Sequence, residues 1–216
     1  MMWPFRRRAP DAERLAPQAA YALWAHDYPP QPHNRLMEME QREVLALMPD
    51  VRGLAVLDAG CGSGRYLREL QARGARAVGI DLAPAMIARA RAVTSRVARA
   101  DLRALPVASG SIDLVICALA LGDFAELDLA LAETARVLRR GGVTIYSVVH
   151  PAGEAAGWTR TFESAGRRWA VDGVWHSLPR HRQACAAAGL AIEKWNEPEL
   201  EDAPGRRALL VVRARR

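Results

Sequence analysis

The sequence predicts a doubly wound α/β fold: a mostly parallel, seven-stranded, Rossmann-like sheet with an antiparallel terminal strand. Short and nearly continuous apolar runs alternate along the chain with segments of helical periodicity. A glycine-rich turn follows the first of these runs. The 216 residues are enough for one well-buried domain and few for two. We therefore expect one domain, elaborated by an N-terminal helical lid and by an insertion after the fifth strand.

The stretch 56–67 has the pattern of a strand, a glycine turn and a helix. Gly60, Gly62 and Gly64 occupy alternate positions, and helical spacing resumes at Tyr66. Glycine lacks a Cβ and tolerates positive φ, so the backbone can pass close to a ligand while free N–H groups at the helix start point toward it. The turn predicts a site for a nucleotide-like cofactor, and the alternative is an ordinary tight connection between strand and helix.

Asp58 helps to identify that cofactor. A dinucleotide-binding turn reads G-x-G-x-x-G and holds a pyrophosphate, whereas this turn reads G-x-G-x-G with Asp58 two residues before the first glycine. A carboxylate there repels a pyrophosphate but suits an ammonium group. No Gly-Lys-Ser/Thr follows, which excludes a P-loop. The turn therefore favours S-adenosylmethionine over a nicotinamide cofactor.

Two helices are predicted before the turn, over residues 12–26 and 32–48, with a proline-rich elbow at 27–32 between them. We assign residues 1–50 to an N-terminal helical lid and residues 51–216 to the main domain. Four aromatic or imidazole side chains just before or in the elbow either pack the first helix on the body or cover the cofactor. They are Tyr21, Trp24, His26 and Tyr28.

Helices and strands alternate after the turn. The predicted helices are 66–74, 84–93, 127–138 and 179–188. The predicted strands are 77–80, 96–100, 112–119, 143–149, 191–195 and 207–212. The short connection between the last two strands predicts that they pair antiparallel. Residues 151–178 show little periodicity and form the predicted insertion on the substrate side.

Composition excludes several classes of protein. The longest apolar run, near residues 112–121, is far shorter than a membrane span, and the basic N-terminus lacks the apolar segment of a secretory signal. Cys61, Cys117 and Cys185 lie far apart, which argues against a disulfide framework or a zinc site. We expect a cytoplasmic protein without a metal.

The net charge of +6 is compatible with binding to nucleic acid, because basic surface attracts phosphates. The arginines, however, are scattered through the predicted helices and are densest at the two ends of the chain. This distribution disfavours nucleic acid as a partner, and it leaves the oligomeric state open.

Residues that end the predicted strands are the first candidates for the site, because ligands of such sheets bind at the carboxyl ends of the strands. Asp81 can accept hydrogen bonds from ribose hydroxyl groups, or it can cap the next helix. Asp101 can accept from an adenine amino group, with Leu102 offering a backbone N–H, or it can be a turn aspartate. Met86 can pack on the adenine ring or in the core. His150 follows the fifth strand and is either a general base or a hydrogen-bonded histidine at the rim.

Five ordered motifs give the chain a family resemblance. They are Val56-Leu-Asp-Ala-Gly-Cys-Gly-Ser-Gly64, Gly79-Ile-Asp-Leu-Ala-Pro-Ala-Met86, Ala100-Asp-Leu-Arg-Ala-Leu-Pro106, Ser111-Ile-Asp-Leu-Val115 and the segment 133–142. The series resembles the class I S-adenosylmethionine-dependent methyltransferases over residues 54–149. It is most similar to the small-molecule subgroup that includes ubiquinone/menaquinone and malonyl-carrier-protein methyltransferases.

The resemblance implies a cofactor site formed by the glycine turn and the strand ends, with Cys117 to Leu119 near the sulfonium and Tyr28 on a lid. The implied cofactor-binding residues are Tyr28, Asp58, Gly60, Cys61, Gly62, Gly64, Asp81, Leu82, Met86, Asp101, Leu102, Cys117 and Leu119. Enzymes that methylate amino groups of nucleic acids carry Asn/Asp-Pro-Pro-Tyr/Phe after the fourth strand. This chain instead reads Leu119-Ala-Leu-Gly-Asp-Phe124, which disfavours a DNA target.

The resemblance implies methyl transfer from S-adenosylmethionine to a small-molecule or carrier-bound acceptor. A base such as His150 is needed only if the acceptor arrives protonated. The alternatives are a non-catalytic S-adenosylmethionine-binding protein that signals to a partner, a nucleic-acid methyltransferase and a nicotinamide oxidoreductase. The sequence leaves the acceptor and the acceptor atom open.

Overall fold

A seven-stranded sheet forms the centre of the computed structural model, which describes residues 12–200 and 203–216 and the backbone of 5–7. The strands in chain order are β1 Phe5–Arg7, β2 Glu13–Leu15, β3 Ala55–Ala59, β4 Arg76–Asp81, β5 Val97–Arg99, β6 Ile112–Ala118, β7 Leu138–Val149, β8 Trp158–Ser164, β9 Arg167–Val171, β10 Ala191–Asn196, β11 Glu199–Leu200, β12 Ala203–Arg207 and β13 Leu209–Arg215. The helices are α1 Pro17–Trp24, α2 Arg35–Leu47, α3 Arg65–Ala72, α4 Pro84–Ala90, α5 Leu127–Val137, α6 Ala152–Ala155 and α7 Leu178–Ala187, with a 3-10 turn at Leu121–Asp123.

The strand order of the central sheet is β10-β13-β7-β6-β3-β4-β5. Strands β3 to β7 run parallel, and β13 runs antiparallel to both β7 and β10. The predicted doubly wound sheet with its antiparallel terminal strand is confirmed. The chain leaves β3 toward one edge and returns to the other side of β3 with β6, so the order reverses between these two strands. Their carboxyl ends diverge there and leave a crevice for a ligand.

Helices cover both faces of the sheet. Along β3, Val56 belongs to a core cluster with residues of α2, α3 and α4, and Leu57 belongs to a second cluster with residues of α5 and α7. Successive side chains of a strand point to opposite faces, so both neighbours are buried only when both faces are covered. This burial explains the continuous apolar runs in the sequence. No helix in the described ranges is long and apolar enough to cross a membrane.

The N-terminal region differs from its prediction. In place of one helix over residues 12–26, the chain forms the strand β2 and then the shorter helix α1, which has Pro17 in its first turn. Proline has no N–H to donate within a helix, but it is well accommodated at a helix start. Helix α2 packs into the main core through Leu36, Met39 and Val44. The domain boundary at residue 50 stays a prediction.

The insertion 151–178 contains more regular structure than its weak periodicity indicates. Its strands β8 and β9 form an antiparallel hairpin around Ala165 and Gly166, which both have positive φ, as a two-residue hairpin turn of this type requires. Strands β1 and β2 from the N-terminus extend the hairpin to a second sheet of order β1-β8-β9-β2. Helix α1 packs against this sheet, where the rings of Trp24 and Phe162 stack with centroids 4.7 Å apart.

Candidate active site

A cavity of about 310 Å³ opens at the carboxyl ends of β3, β4 and β6, and we call it the glycine-turn cavity. Its walls come from the glycine turn, from the ends of β4 and β6, and from α1 and the elbow after it. Many of the predicted cofactor residues meet there. Those that line it are Tyr28, Gly60, Gly62, Asp81, Leu82, Met86, Asp101, Leu102 and Leu119.

Two further cavities adjoin it. The hairpin cavity, of about 350 Å³, lies between α1 and the β8 strand and is lined by Trp24 and Phe162, among others. The tryptophan pocket, of about 80 Å³, is lined by Trp158 and Trp175. Leu119, just after β6, lines all three cavities. A molecule in the glycine-turn cavity and one in the hairpin cavity can therefore meet beside this residue.

The three glycines of the turn have different roles. Gly60 and Gly62 line the cavity with φ of +79° and +52°, and no atom lies within 4 Å of a Cβ added at Gly62. That open space lets a ligand approach the backbone. Gly64, with φ of +90°, caps α3 outside the cavity lining, and a Cβ added there would lie 3.1 Å from Val93 Cγ2. Its glycine character serves the packing of α3.

Asp81 ends β4 and faces the cavity. Its Oδ2 accepts a hydrogen bond from the Gly62 N–H at 2.9 Å, and its Oδ1 accepts one from the Ala83 N–H at 2.8 Å. Burial raises the pKa of this carboxyl group, although both backbone hydrogen bonds oppose the rise. Each carboxylate oxygen can accept a second hydrogen bond. Asp81 therefore holds the glycine turn in place and keeps acceptor capacity for a ligand.

Asp101, after β5, is paired with Arg103, whose guanidinium contacts both carboxylate oxygens at 2.7–3.2 Å. These hydrogen bonds lower the pKa of Asp101. Arg103 also pairs with Glu126 at 2.8 Å and lies 5.5 Å from the Phe124 ring centroid. Asp101 is thus an ionised acceptor at the cavity wall, and its orientation is fixed by an arginine that also lines the cavity.

Asp58 lies behind the turn and outside the cavity lining. It is 1% exposed, and its Oδ2 has no partner among the described residues. Burial raises the pKa of this carboxyl group from 3.8 to about 7, with Arg65 opposing the rise and Asp81 and Glu40 adding to it. A positive charge bound nearby would favour the ionised form.

The Asp58→Asn variant tests this burial. The Asp58 carboxyl binds a proton more tightly in the folded protein than in the unfolded chain, so its stabilising contribution is complete below pH 3.8 and is lost as the pH rises to about 7. Asparagine does not titrate. Denaturant unfolding of the ligand-free protein should therefore show the variant gaining stability relative to wild type across this range. Asp50→Asn, at an exposed position in the loop between α2 and β3, is the control, and equal pH dependence of wild type and Asp58→Asn would contradict the burial effect.

Two cysteines that were predicted to bind the cofactor face the core instead of the cavity. Cys61 packs beneath β4, where a Cβ added at Gly79 would lie 2.9 Å from its Sγ. Cys117 belongs to the core cluster beneath α5 and α7. Burial raises the pKa of both thiols. Strand alternation explains Cys117, because the next residue, Ala118, points to the opposite face and lines the cavity.

His150 is not brought to the cavities. It is 3% exposed, its Nε2 lies 3.1 Å from Glu197 Oε2, and its Nδ1 accepts a hydrogen bond from the Ala152 N–H at 3.1 Å. Both ring nitrogens are thus engaged, and His150 lines none of the three cavities. Its contacts match the alternative of a hydrogen-bonded histidine. Val149, one residue earlier, lines the hairpin cavity.

The side chains before and in the elbow differ in their surroundings, and the exposed His26 neither packs on the body nor lines a cavity. Trp24 packs on the hairpin, while Tyr21 and Tyr28 line the glycine-turn and hairpin cavities. Burial raises the pKa of both tyrosines, so their hydroxyl groups stay protonated at neutral pH.

Two charged pairs at the cavities were missed by the sequence reasoning. Arg65 lines the glycine-turn cavity and pairs with Glu40 at 2.7 Å. Arg160 of β8 lines the hairpin cavity and pairs with Asp123, which lines the glycine-turn cavity. Arg65 could have been found, because it directly follows the last glycine of the turn. Arg160 lies in the insertion, where no sequence pattern marks it.

The glycine-turn cavity offers groups that match S-adenosylmethionine. Asp81 can accept from ribose hydroxyl groups, and Arg65 can donate to a carboxylate. Asp58 lies behind the turn and outside the lining, but a cationic ligand in the cavity would favour its ionised form and so offset its burial. Gly62 leaves the backbone open to close approach. The residues present therefore fit this cofactor.

Comparisons with known proteins agree with the geometry. A family model described as a methyltransferase domain matches residues 57–146. The malonyl-[acyl-carrier protein] O-methyltransferase of Dechloromonas aromatica is 37% identical over 172 residues, which cover 76% of this chain and 62% of the relative. The protein of the same name from Serratia marcescens is 36% identical over 143 residues, covering 62% and 53%. The chain thus spans little more than half the length of these relatives.

The solved structures agree as well. An S-adenosylmethionine-dependent methyltransferase from Mesorhizobium loti superposes with a TM-score of 0.69 at 29% identity, covering 82% of this chain and 97% of that one. The family match includes the glycine turn and the ends of β4, β5 and β6, which line the cavity. Sequence and geometry thus assign the same segment to the same cofactor. Residues 57–146 thus match the methyltransferase-domain family, and in sequence and fold the chain is similar to S-adenosylmethionine-dependent methyltransferases.

Proposed function

We propose that the protein transfers the methyl group of S-adenosylmethionine to a carboxylate of a small-molecule or carrier-bound acid. One observation carries the proposal: the glycine-turn cavity and the hairpin cavity share Tyr21, Tyr28 and Leu119, and Arg160 lies in the wall of the hairpin cavity. The first cavity suits the cofactor, and the second suits an acid that reaches it beside Leu119.

The cofactor supplies an electrophilic methyl group on a sulfonium, so the protein mainly has to bind, align and exclude water. Asp81 would hold the ribose, Asp101 and Leu102 the adenine, and Arg65 the carboxylate of the methionine part. Asp58 would balance positive charge from behind the turn. Tyr28 would close the cavity from the N-terminal side.

Arg160 would bind the acceptor. Its Nη1 donates to the Tyr21 hydroxyl at 3.1 Å, and its Nη2 pairs with Asp123. A guanidinium carries five N–H donors, so these described contacts leave donors for a carboxylate, which arginine can bind through two parallel hydrogen bonds. Asp123 would fix the orientation of the Arg160 guanidinium.

A carboxylate is deprotonated at neutral pH, so it needs no general base. The position of His150 away from the cavities is compatible with such an acceptor. The curated relatives are named for malonyl-[acyl-carrier protein], and a malonyl thioester ends in a free carboxylate. This similarity supports an acid as the acceptor and a carrier protein as the group to which that acid is attached.

Production of S-adenosylhomocysteine tests the proposal. Candidate acceptors are a malonyl thioester, free dicarboxylic acids, and the same compounds with the reacting acid already esterified or converted to an amide. Turnover with the acids and none with the capped compounds is expected. Turnover only with amines or phenols would overturn the carboxylate assignment. Tight cofactor binding without turnover on any acceptor would favour the non-catalytic binding protein.

A further inference from the structure

A buried carboxylate that lines none of the cavities connects the glycine-turn cavity with the backbone near Leu119. Glu40 of α2 has a fully buried side chain. It accepts hydrogen bonds from the Arg65 guanidinium at 2.7 Å, the Tyr66 hydroxyl at 3.0 Å and the Ser147 hydroxyl at 2.7 Å. These partners come from α3 and β7, so one carboxylate joins three elements.

We propose that Glu40 and Ser147 are positioning residues. They fix the cofactor side of the site, at Arg65, relative to the acceptor side, at Leu119. The proposal rests on the proposed function for its catalytic consequence. Its structural content concerns Arg65 and Leu119, which can be tested without an acceptor.

The acceptor side depends on the backbone at Leu119. This residue has φ of +58°, a left-handed conformation that residues other than glycine rarely adopt. Such strain persists only where the surrounding structure holds the backbone in place. Its N–H donates to the Ser147 carbonyl at 3.0 Å and to the Ser147 hydroxyl oxygen at 3.1 Å. The Ser147 hydroxyl in turn donates to Glu40. Glu40 thus orients the hydroxyl that helps to hold Leu119 where the three cavities meet.

The cofactor side depends on Arg65. Its Nη2 donates to Glu40, and its Nη1 donates to Gln41 at 3.0 Å, so α2 fixes both ends of the fork. Arg65 is the residue that we assign to the cofactor carboxylate. Glu40 therefore contacts the cofactor side through Arg65 and the acceptor side through Ser147.

A purely structural network would stabilise the fold without affecting the two sides separately. Two control residues distinguish a purely structural role of the network from a positioning role. Tyr66 is a buried donor to the same carboxylate but lines none of the three cavities. Thr144 lies three residues before Ser147 on β7, is equally buried, and its Oγ1 has no hydrogen-bond partner among the described residues.

The experiment measures four quantities for each variant: the Kd for S-adenosylhomocysteine, the hydrogen-exchange rate of the Leu119 amide, kcat and Tm. Ser147→Ala should speed exchange at Leu119 and lower kcat by about tenfold, since one net hydrogen bond corresponds to about that factor, while the Kd stays unchanged. Glu40→Gln should show both effects and also weaken S-adenosylhomocysteine by about tenfold. Tyr66→Phe should lower Tm only, and Thr144→Val should leave exchange, Kd and kcat at wild-type values.

A double variant keeps the test decisive if Glu40→Gln does not fold. Glycine adopts positive φ without support, so Ser147→Ala should add little to the effect of Leu119→Gly. Full additivity of the two changes would overturn the proposal, as would Leu119 exchange at the wild-type rate in Ser147→Ala. Exchange and Kd require no acceptor, so these outcomes are distinct from a failure of the proposed methyl transfer.

Discussion

Replacing Asp81 with alanine is expected to weaken S-adenosylmethionine by about 2 to 4 kcal/mol, because hydrogen bonds to a charged group contribute roughly 1.5 to 3 kcal/mol each and do not add fully. The structure gives a second reason for a large effect. Asp81 also accepts the Gly62 N–H, so its loss releases the turn against which the cofactor would lie. Titration calorimetry with S-adenosylmethionine and with S-adenosylhomocysteine measures both affinities.

Asp113→Ala is the matched control. The Asp113 carboxylate also accepts a backbone N–H, from Ala55 at 2.7 Å, but it lies near the start of β6, at the opposite edge of the sheet. Its loss should reduce stability and leave the cofactor affinity unchanged. Equal loss of affinity in both variants, or wild-type affinity in Asp81→Ala, would remove Asp81 from the site.

Replacing Arg160 with methionine is expected to reduce kcat/KM for an acid acceptor. The expected loss corresponds to about 2 to 5 kcal/mol of transition-state stabilisation, the range for truncating one partner of a buried charge pair. The acceptor loses its bidentate donor, and Asp123 is left without its arginine. The loss should appear mainly in KM if Arg160 binds acceptor and transition state equally, and in kcat if it aligns the attacking oxygen. Steady-state kinetics with a malonyl thioester measures both parameters.

Arg168→Met is the control for Arg160, because Arg168 also lines the hairpin cavity but pairs with the exposed Glu163 at 3.2 Å. The double variant Arg160→Met/Asp123→Asn addresses the unpaired carboxylate. If Arg160 binds the acceptor, the double variant should regain stability but not kcat/KM. Recovery of activity together with stability would show that Arg160 serves only to neutralise Asp123.

The parts of the fold that were predictable are those with local signals. The apolar runs of β3 and β6 and the glycine turn between β3 and α3 each reveal their structure within a dozen residues. The strand ends then predicted that Asp81 and Asp101 meet at one cavity, because parallel strands end at one edge of the sheet, whereas Leu119 was implied by the family resemblance.

Side-chain direction was harder to predict than position. Cys61, Cys117 and His150 lie near the predicted edge of the sheet, but their side chains point away from the cavity. Cys61 lies on the core side of the turn, and strand alternation turns Cys117 into the core. Hydrogen bonds to Glu197 and Ala152 hold His150. Pairings across long stretches of chain leave no local trace at all. Glu40 contacts Ser147 across 107 residues, and Arg160 contacts Asp123 across 37.

The second sheet has a consequence for how the protein is assembled. Strand β2 pairs in parallel with β9 over only three residues, and Glu13 and the Arg167 it contacts are 154 positions apart. Closing so long a loop for so few contacts is costly in chain entropy, so the β2–β9 pairing is expected to form after the central sheet and to open before it. The second sheet, whose strand β8 carries Arg160, is then the last part of the molecule to form, and it is also the part to which we assign the binding of the acceptor.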